Sequence, residues 1–125
     1  VGLSPSPCLR RLRALEEAGI IAGYHTRLNA KQLGYTLMAL IHISMDAHTP
    51  ERFEHFDQEI AAMPEVLECL LITGQEADYQ LKVIVPDMDA FQELLLNRIT
   101  RIPGVTGVHS SFVLRRVVDR TDIPV

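Results

Sequence analysis

Hydrophobic and polar residues alternate along TLMALIHISMD, the stretch that begins at Thr36. Ala39, Ile41, Ile43 and Met45 fall on one side of an extended chain, and the other side is largely polar. A period of two is typical of a β-strand that buries one face. The pattern therefore predicts a strand.

The next segment, ERFEHFDQEIAAM, changes to the helical period. Phe53, Phe56 and Ile60 return to one face of a helix, as expected of a helix that packs on a core. Thr49 is a favourable N-cap, and Pro50 suits the first helical position because no amide is needed there. We expect an amphipathic helix from Pro50.

Two apolar stretches, EVLECLLITG and DYQLKVIVP, are separated only by a short turn at residues 74–77, which predicts a hairpin. A second helix, DMDAFQELLLNRITRI, is expected between Pro86 and Pro103, and GVTGVHSSFVLRRVV is expected as the last strand. The order strand, helix, strand, strand, helix, strand is that of the ferredoxin-like βαββαβ fold. In this α+β fold both helices cover one face of an antiparallel sheet.

The sheet face without helices is predicted to carry apolar side chains as well. Leu70, Ile72, Ile84 and Phe112 are expected to point to it. An apolar face of this kind needs a cover, and a second copy of the chain is the economical one. We expect a homodimer whose two sheets pack together.

The first 34 residues follow a different pattern. Ser4 and Pro5 form a strong helix-start signal and Gly19 an end signal, so a helix is expected between them. The following IIAGYHTRLN predicts a strand, and residues 29–35 predict a turn-like connector. The apolar face of the helix gathers Cys8, Leu9, Leu12 and Leu15.

The net charge of −4 is unevenly distributed. Residues 1–34 hold five basic and two acidic side chains, whereas the rest of the chain holds seven basic and fourteen acidic ones. This asymmetry suggests two roles, with the basic end facing a polyanion.

Composition also narrows the protein class. We expect neither a membrane span nor a signal peptide, because the chain has no window of about 18 apolar residues and no charged, apolar leader. Cys8 and Cys69 show no CxxC spacing and are expected to be buried, reduced thiols, which suits a cytoplasmic protein. The histidines show no metal-site spacing. Since the chain begins at Val1 rather than Met, we expect it to be incomplete.

Two stretches of the chain resemble a known family. LSPSPCLRRLRALEEAGII followed by GYHTRLN resembles the recognition helix and exit strand of bacterial and archaeal Lrp/AsnC transcription regulators. PEVLECLLITGQEADYQLKVIVPDM and RIPGVTGVHSSFVL resemble their ligand-binding regulatory domain, in which GxxxDY followed by PDM recurs at this spacing.

The resemblance implies two domains and a function. Residues 1–34 would be the end of an incomplete winged helix-turn-helix domain whose two earlier helices precede Val1. Residues 35–125 would be a ferredoxin-like ligand-binding and oligomerisation domain. The expected function is sequence-specific regulation of operator DNA by a homodimer, assembled further into an octamer, that senses an amino acid and needs no cofactor.

The helix from Pro5 would be the DNA-reading element. In a helix-turn-helix, the N-terminal residues of the second helix face base edges. Arg10 is expected to form a bidentate hydrogen bond with a guanine, whereas Arg11 and Arg13 are expected to contact backbone phosphates. From the helical wheel alone, a solvated basic face remains an equal alternative. The predicted DNA-binding residues are Ser4, Ser6, Pro7, Arg10, Arg11 and Arg13.

The ITGQEADY turn is the predicted effector site. An amino acid needs an acceptor for its ammonium, donors for its carboxylate and an apolar pocket. Asp78 or Glu76 suits the first need, backbone amides near Gly74 the second, and Met88 the third. From spacing alone, Asp78 as a plain hairpin residue and Met88 as core remain alternatives. The full predicted set is Thr73, Gly74, Gln75, Glu76, Asp78, Tyr79, Met88, Ser110, Ser111 and Phe112.

Two other functions remain open from the residues. An enzyme would need a convergent acid, base or nucleophile set, and the strands offer only scattered Asp, Glu and His. A stand-alone amino-acid-binding module without DNA binding is the second alternative.

Overall fold

The computed structural model describes residues 6–124. Along the chain it contains α1 (Pro7–Glu17), a 3-10 turn (Lys31–Leu33), β1 (Leu37–Met45), α2 (Pro50–Ala61), β2 (Val66–Leu71), β3 (Tyr79–Val85), α3 (Met88–Leu94) with a π-helical continuation (Leu95–Ile99), and β4 (Val105–Phe112). The four strands form one antiparallel sheet in the order β2-β3-β1-β4. The predicted ferredoxin-like α+β fold is confirmed.

The core lies between one face of the sheet and the two helices α2 and α3. Ala39, Ile41 and Ile43 of β1 are fully buried there, and Phe56 and Ile60 of α2 pack against them. The predicted inward residues of β1 and α2 are therefore confirmed. The remaining contributions from β3 and α3 are Tyr79, Leu81, Val83, Val85, Phe91, Leu94 and Ile99.

Helix caps fix where α2 and α3 begin. The Thr49 hydroxyl accepts a hydrogen bond from the Arg52 amide at 3.2 Å, and Pro50 occupies the first turn, as predicted. The Asp87 carboxylate accepts one from the Ala90 amide at 2.8 Å. Each cap satisfies an amide that the first helical turn leaves without a partner.

The opposite sheet face carries no helix among the described residues. Leu70 and Ile84 point to it, as predicted. Leu70 pairs with Gln80 of β3, and Ile84 pairs with Met38 of β1. Both partners alternate with buried residues of their own strands, so they lie on the face opposite the core. We call this surface the open face. Polar side chains lie beside the apolar ones, and His42 contacts the Gln80 amide oxygen at 3.0 Å.

The prediction that Phe112 points to the open face was wrong. Phe112 pairs with Ala39, which is fully buried beneath the helices, so its side chain lies on the helix-covered face. A register shift between Ser44 and Met45 inserts an extra residue in β4. The bulge reverses the alternation for every later residue of that strand.

The first helix begins two residues later than predicted. Ser6 has an extended backbone (φ −76°, ψ 157°) and its hydroxyl accepts from the Leu9 amide at 3.1 Å, so Ser6 is the N-cap and Pro7 the first helical residue. The residue before a proline is disfavoured in the helical conformation, which keeps Ser6 outside the helix. Ser4 and Pro5 lie outside the described residues.

The predicted strand IIAGYHTRLN and the predicted length of the last strand were also wrong. Residues 20–29 form neither helix nor strand, and no described strand runs beside them to pair their backbone groups. β4 ends at Phe112, because its partner β1 begins at Leu37 and offers only the Met38 carbonyl to the Val113 amide. The connector at residues 29–35 contains the expected turn, with Gly34 at φ 89°.

Candidate DNA-binding and effector sites

Helix α1 presents its arginines to solvent. Arg10, Arg11 and Arg13 are exposed, and no residue of α1 is buried within the described chain. Leu9 and Leu12 on its apolar face are each 39% exposed. The helix therefore offers a basic surface on one side and an apolar contact surface on the other. Cys8, predicted to be buried, is exposed there.

The chain turns back on α1 directly after it ends. Gly19, at φ 78°, allows its own amide to reach the Glu16 carbonyl and the Ile20 amide to reach the Leu15 carbonyl, as in a Schellman motif. Gly19 ends the helix as predicted. The Tyr24 hydroxyl then donates to the Glu16 carboxylate at 2.6 Å, and this bond raises the pKa of Tyr24.

An ion pair connects the segment after α1 to the end of the chain. The Arg27 guanidinium lies 2.6 Å from the Asp119 carboxylate, which also binds Arg116. The hydrogen bond from Arg116, followed by the charges of both arginines, lowers the pKa of Asp119. No sequence signal predicted this contact, because its partners are 92 residues apart.

The β2–β3 turn is open to solvent where an effector was predicted. Thr73, Gly74, Gln75 and Glu76 are all exposed. Gly74 has φ 93°, a conformation that side-chain-bearing residues rarely adopt. Among residues 6–124, no backbone hydrogen bond engages the amides of Gly74 and Gln75. Two donors suited to a carboxylate are thus available side by side.

Asp78 is already engaged within the chain. One carboxylate oxygen accepts from the Met45 amide at 2.7 Å, and the other lies 2.9 Å from Nε2 of His48. Its side chain is only 18% exposed. These contacts attach the turn to the end of β1 and leave the exposed Glu76 as the more accessible carboxylate.

Tyr79 does not face the turn but the helices. It is 2% exposed, and its hydroxyl donates to the Asp57 carboxylate of α2 at 2.7 Å. Burial, the bond to Asp57 and nearby negative charges together raise the pKa of Tyr79 strongly. A groove of about 400 Å³ between α2 and β2 lies beside it and includes Cys69, whose thiol pKa is raised by burial to about 11.

The remaining predicted effector residues lie away from the turn within one chain. Phe112 pairs with Ala39, which is level with Val83, four residues of β3 and so about 13 Å beyond Tyr79. Met88 follows Val85 and is 47% exposed. Ser110 pairs with Ile41 on the helix-covered face, and Ser111 pairs with Leu40 on the open face. The chain does not assemble these residues into one pocket by itself.

No group of three or more His, Cys, Asp or Glu side chains among residues 6–124 converges in a way suited to a metal ion. No described helix is both long and apolar enough to cross a membrane.

Comparison with known families matches both parts of the chain. Residues 38–123 match the Lrp/AsnC ligand binding domain, and residues 1–22 match a winged helix-turn-helix DNA-binding module. Each match falls on the part of the sequence whose residues carried the resemblance.

Individual relatives give the same assignment. The chain is 40% identical to the Bkd operon transcriptional regulator of Pseudomonas aeruginosa, over 99% of this chain and 80% of the relative. It is also 40% identical to the leucine-responsive regulatory protein of Escherichia coli, over 94% of this chain and 71% of the relative.

Solved structures agree in fold. A transcriptional regulator of Neisseria meningitidis in complex with L-methionine superposes with a TM-score of 0.89 at 38% identity, over 98% of this chain and 79% of that one. A feast or famine regulatory protein of Mycobacterium tuberculosis, also complexed with L-methionine, superposes with a TM-score of 0.75 at 30% identity, over 98% and 81% of the two chains. The relatives are regulators rather than enzymes. This chain belongs to the Lrp/AsnC family of transcriptional regulators.

Proposed function

We propose that this regulator senses an amino acid with an apolar or sulfur-bearing side chain at the β2–β3 turn and adjusts operator binding through α1. The observation that carries the proposal is the L-methionine complex of a relative 38% identical to this chain. The matched ligand-binding region, residues 38–123, includes the entire turn. A regulator that binds operator DNA would act in the cytoplasm.

The geometry of the turn supports this site. The free amides of Gly74 and Gln75 suit the effector carboxylate, and the exposed Glu76 suits its ammonium. Asp78 stabilises the turn rather than accepting the ammonium, since one of its oxygens binds the Met45 amide and the other binds His48.

A neighbouring subunit completes the pocket in this proposal. Met88 follows the end of β3 that is remote from the turn, and Ser110–Phe112 lie on β4, which β1 separates from β3. The corresponding residues of another copy would bring an apolar wall to the turn. Dimers would pack through the open face and associate further into octamers, so that effector binding at a contact between copies shifts the assembly.

The exposed arginines of α1 support the DNA-binding part. Arg10 lies on the same side as the N-cap Ser6, one helical turn further on, where a base edge is reached. Arg11 and Arg13 suit phosphates, and Ser4, Ser6 and Pro7 would complete the groove-facing end. The division into residues 1–34 and 35–125 belongs to the same proposal.

Thermal unfolding in the presence of each of the twenty amino acids tests the sensing function. A ligand that binds only the folded protein adds about 2.7 kcal/mol of stability at a hundredfold excess over Kd, so L-methionine or a close apolar analogue should raise the melting temperature. D-methionine is the matched control. If none of the twenty changes the melting temperature, the proposed sensing function is wrong.

A further inference from the structure

A histidine outside the predicted effector set contacts the turn. His48 lies in the loop between β1 and α2, and its Nε2 is 2.9 Å from Asp78 Oδ1. The second oxygen of Asp78 accepts from the Met45 amide at 2.7 Å. Asp78 thus joins His48 to the end of β1 immediately beside the turn at Thr73–Glu76.

The His48 side chain is 65% exposed and has one aromatic neighbour among the described residues. Its ring centroid lies 5.9 Å from that of Phe53 in the first turn of α2. Phe53 in turn packs edge-on against Tyr79 at 5.7 Å, and Tyr79 directly follows Asp78 in the chain. These contacts link Asp78, His48, Phe53 and Tyr79, and the peptide bond between Asp78 and Tyr79 closes the loop, so a displacement of Asp78 disturbs its neighbours.

Among residues 6–124, His48 is the basic side chain that pairs with Asp78. On its own loop, Asp46 is paired with Arg52 at 3.1 Å. From α2 the ring faces the uncharged Phe53, and from the turn it faces the carboxylate of Asp78. Within residues 6–124 no lysine or arginine pairs with Asp78. Histidine is the side chain type that gains its charge between about pH 8 and pH 5.

We propose that His48 and Asp78 form a clasp that positions the turn for the effector, and that protonation of His48 tightens the clasp. This inference rests on the proposed effector site. A neutral imidazole still donates one hydrogen bond, whereas the charged form adds an ion pair. A larger fraction of molecules then holds the turn in its binding conformation, and the apparent affinity rises by the same factor.

Calorimetric titration of the oligomer with L-methionine at about pH 6 and about pH 8 tests the clasp. Wild-type protein should bind about two- to fivefold more tightly at the lower pH, the range expected from one partly exposed ion pair. His48→Gln keeps a hydrogen-bonding group but no charge, so its affinity should be the same at both pH values. His48→Lys is charged throughout and should also be pH-independent. His55→Gln, at an exposed histidine of α2, is the matched control and should keep the wild-type profile.

Three results would overturn the clasp. The first is an L-methionine affinity of His48→Gln that depends on pH as the wild-type affinity does. Another is weaker wild-type binding at the lower pH, which means that His48 competes with the ligand for Asp78. The third is an equal loss of pH dependence in His55→Gln.

A measurement without ligand separates this inference from the sensing function. At about pH 6, the amides of Met45 and Ile72, which both donate to Asp78, should exchange with solvent faster in His48→Gln than in the wild type or in His55→Gln. Unchanged exchange contradicts the clasp whether or not L-methionine binds. If exchange responds as expected but no amino acid binds, only the sensing function fails.

Discussion

Phe112, the last residue of β4, packs edge-on against Phe91 of α3, with 5.0 Å between ring centroids and 65° between ring planes. This contact anchors the end of an edge strand to the helical layer. Phe112→Ala should therefore lower the free energy of unfolding by about 1 to 2 kcal/mol, less than a fully buried Phe because the side chain is 40% exposed. Urea unfolding at neutral pH measures the loss. An unchanged midpoint and slope would show that the contact contributes nothing.

A charge on the open face should act on assembly instead of fold. Leu70→Asp places a carboxylate on the face proposed for the dimer, opposite the uncharged Gln80, and an unpaired charge in an apolar interface costs several kcal/mol. Light scattering should show a smaller particle than the wild type. Leu96→Asp, at a position 57% exposed on the helical layer, is the matched control and should leave the mass unchanged. Equal masses for all three proteins would contradict sheet-to-sheet pairing.

The ion pair between Glu65 and Arg98 should make stability depend on pH. Burial acts to raise the pKa of Glu65, but the hydrogen bond and the charge of Arg98 lower it overall from the ordinary 4.5. A depressed folded-state pKa gives stability that is complete above pH 4.5 and is lost as pH falls through the folded value. Glu65→Gln should cost about 1 kcal/mol at neutral pH and almost nothing at about pH 2. A constant difference across this range would contradict the assignment.

The arginines of α1 should separate into two classes in DNA binding by the oligomeric regulator. Arg10→Ala should weaken operator binding by about 1 to 3 kcal/mol and relax the base preference, whereas Arg13→Ala should weaken all DNA about equally and reduce the salt slope. Titrations with operator and random DNA at several salt concentrations distinguish them. If Arg10→Ala weakens both DNAs equally, Arg10 contacts phosphate.

Features set by local chemistry could be predicted from the sequence. The alternation of β1 and the Thr49–Pro50 helix start depend on neighbouring residues, and both were confirmed. The SPSP stretch offered two equivalent starts, and the second was used because Pro7 excludes Ser6 from the helix.

Features set by distant pairing could not be predicted. The β4 bulge arises from the register with β1, so the reversed orientation of Phe112 left no local signal. The contact between His48 and Asp78 joins residues 30 positions apart and became visible only in the fold. The turn itself could be located because glycine and acidic residues between two apolar stretches are a local pattern.

Amide hydrogen exchange across the chain, with and without L-methionine, tests the proposed effector site most directly. The account predicts slower exchange, by about tenfold or more near saturation, at the amides of Gly74 and Gln75. Glu76→Gln should abolish this protection at the same ligand concentration without altering the exchange of the unliganded core. Binding that leaves the turn amides unchanged and protects residues 28–35 instead, where a cavity of about 520 Å³ lies against the end of the sheet, would contradict the account.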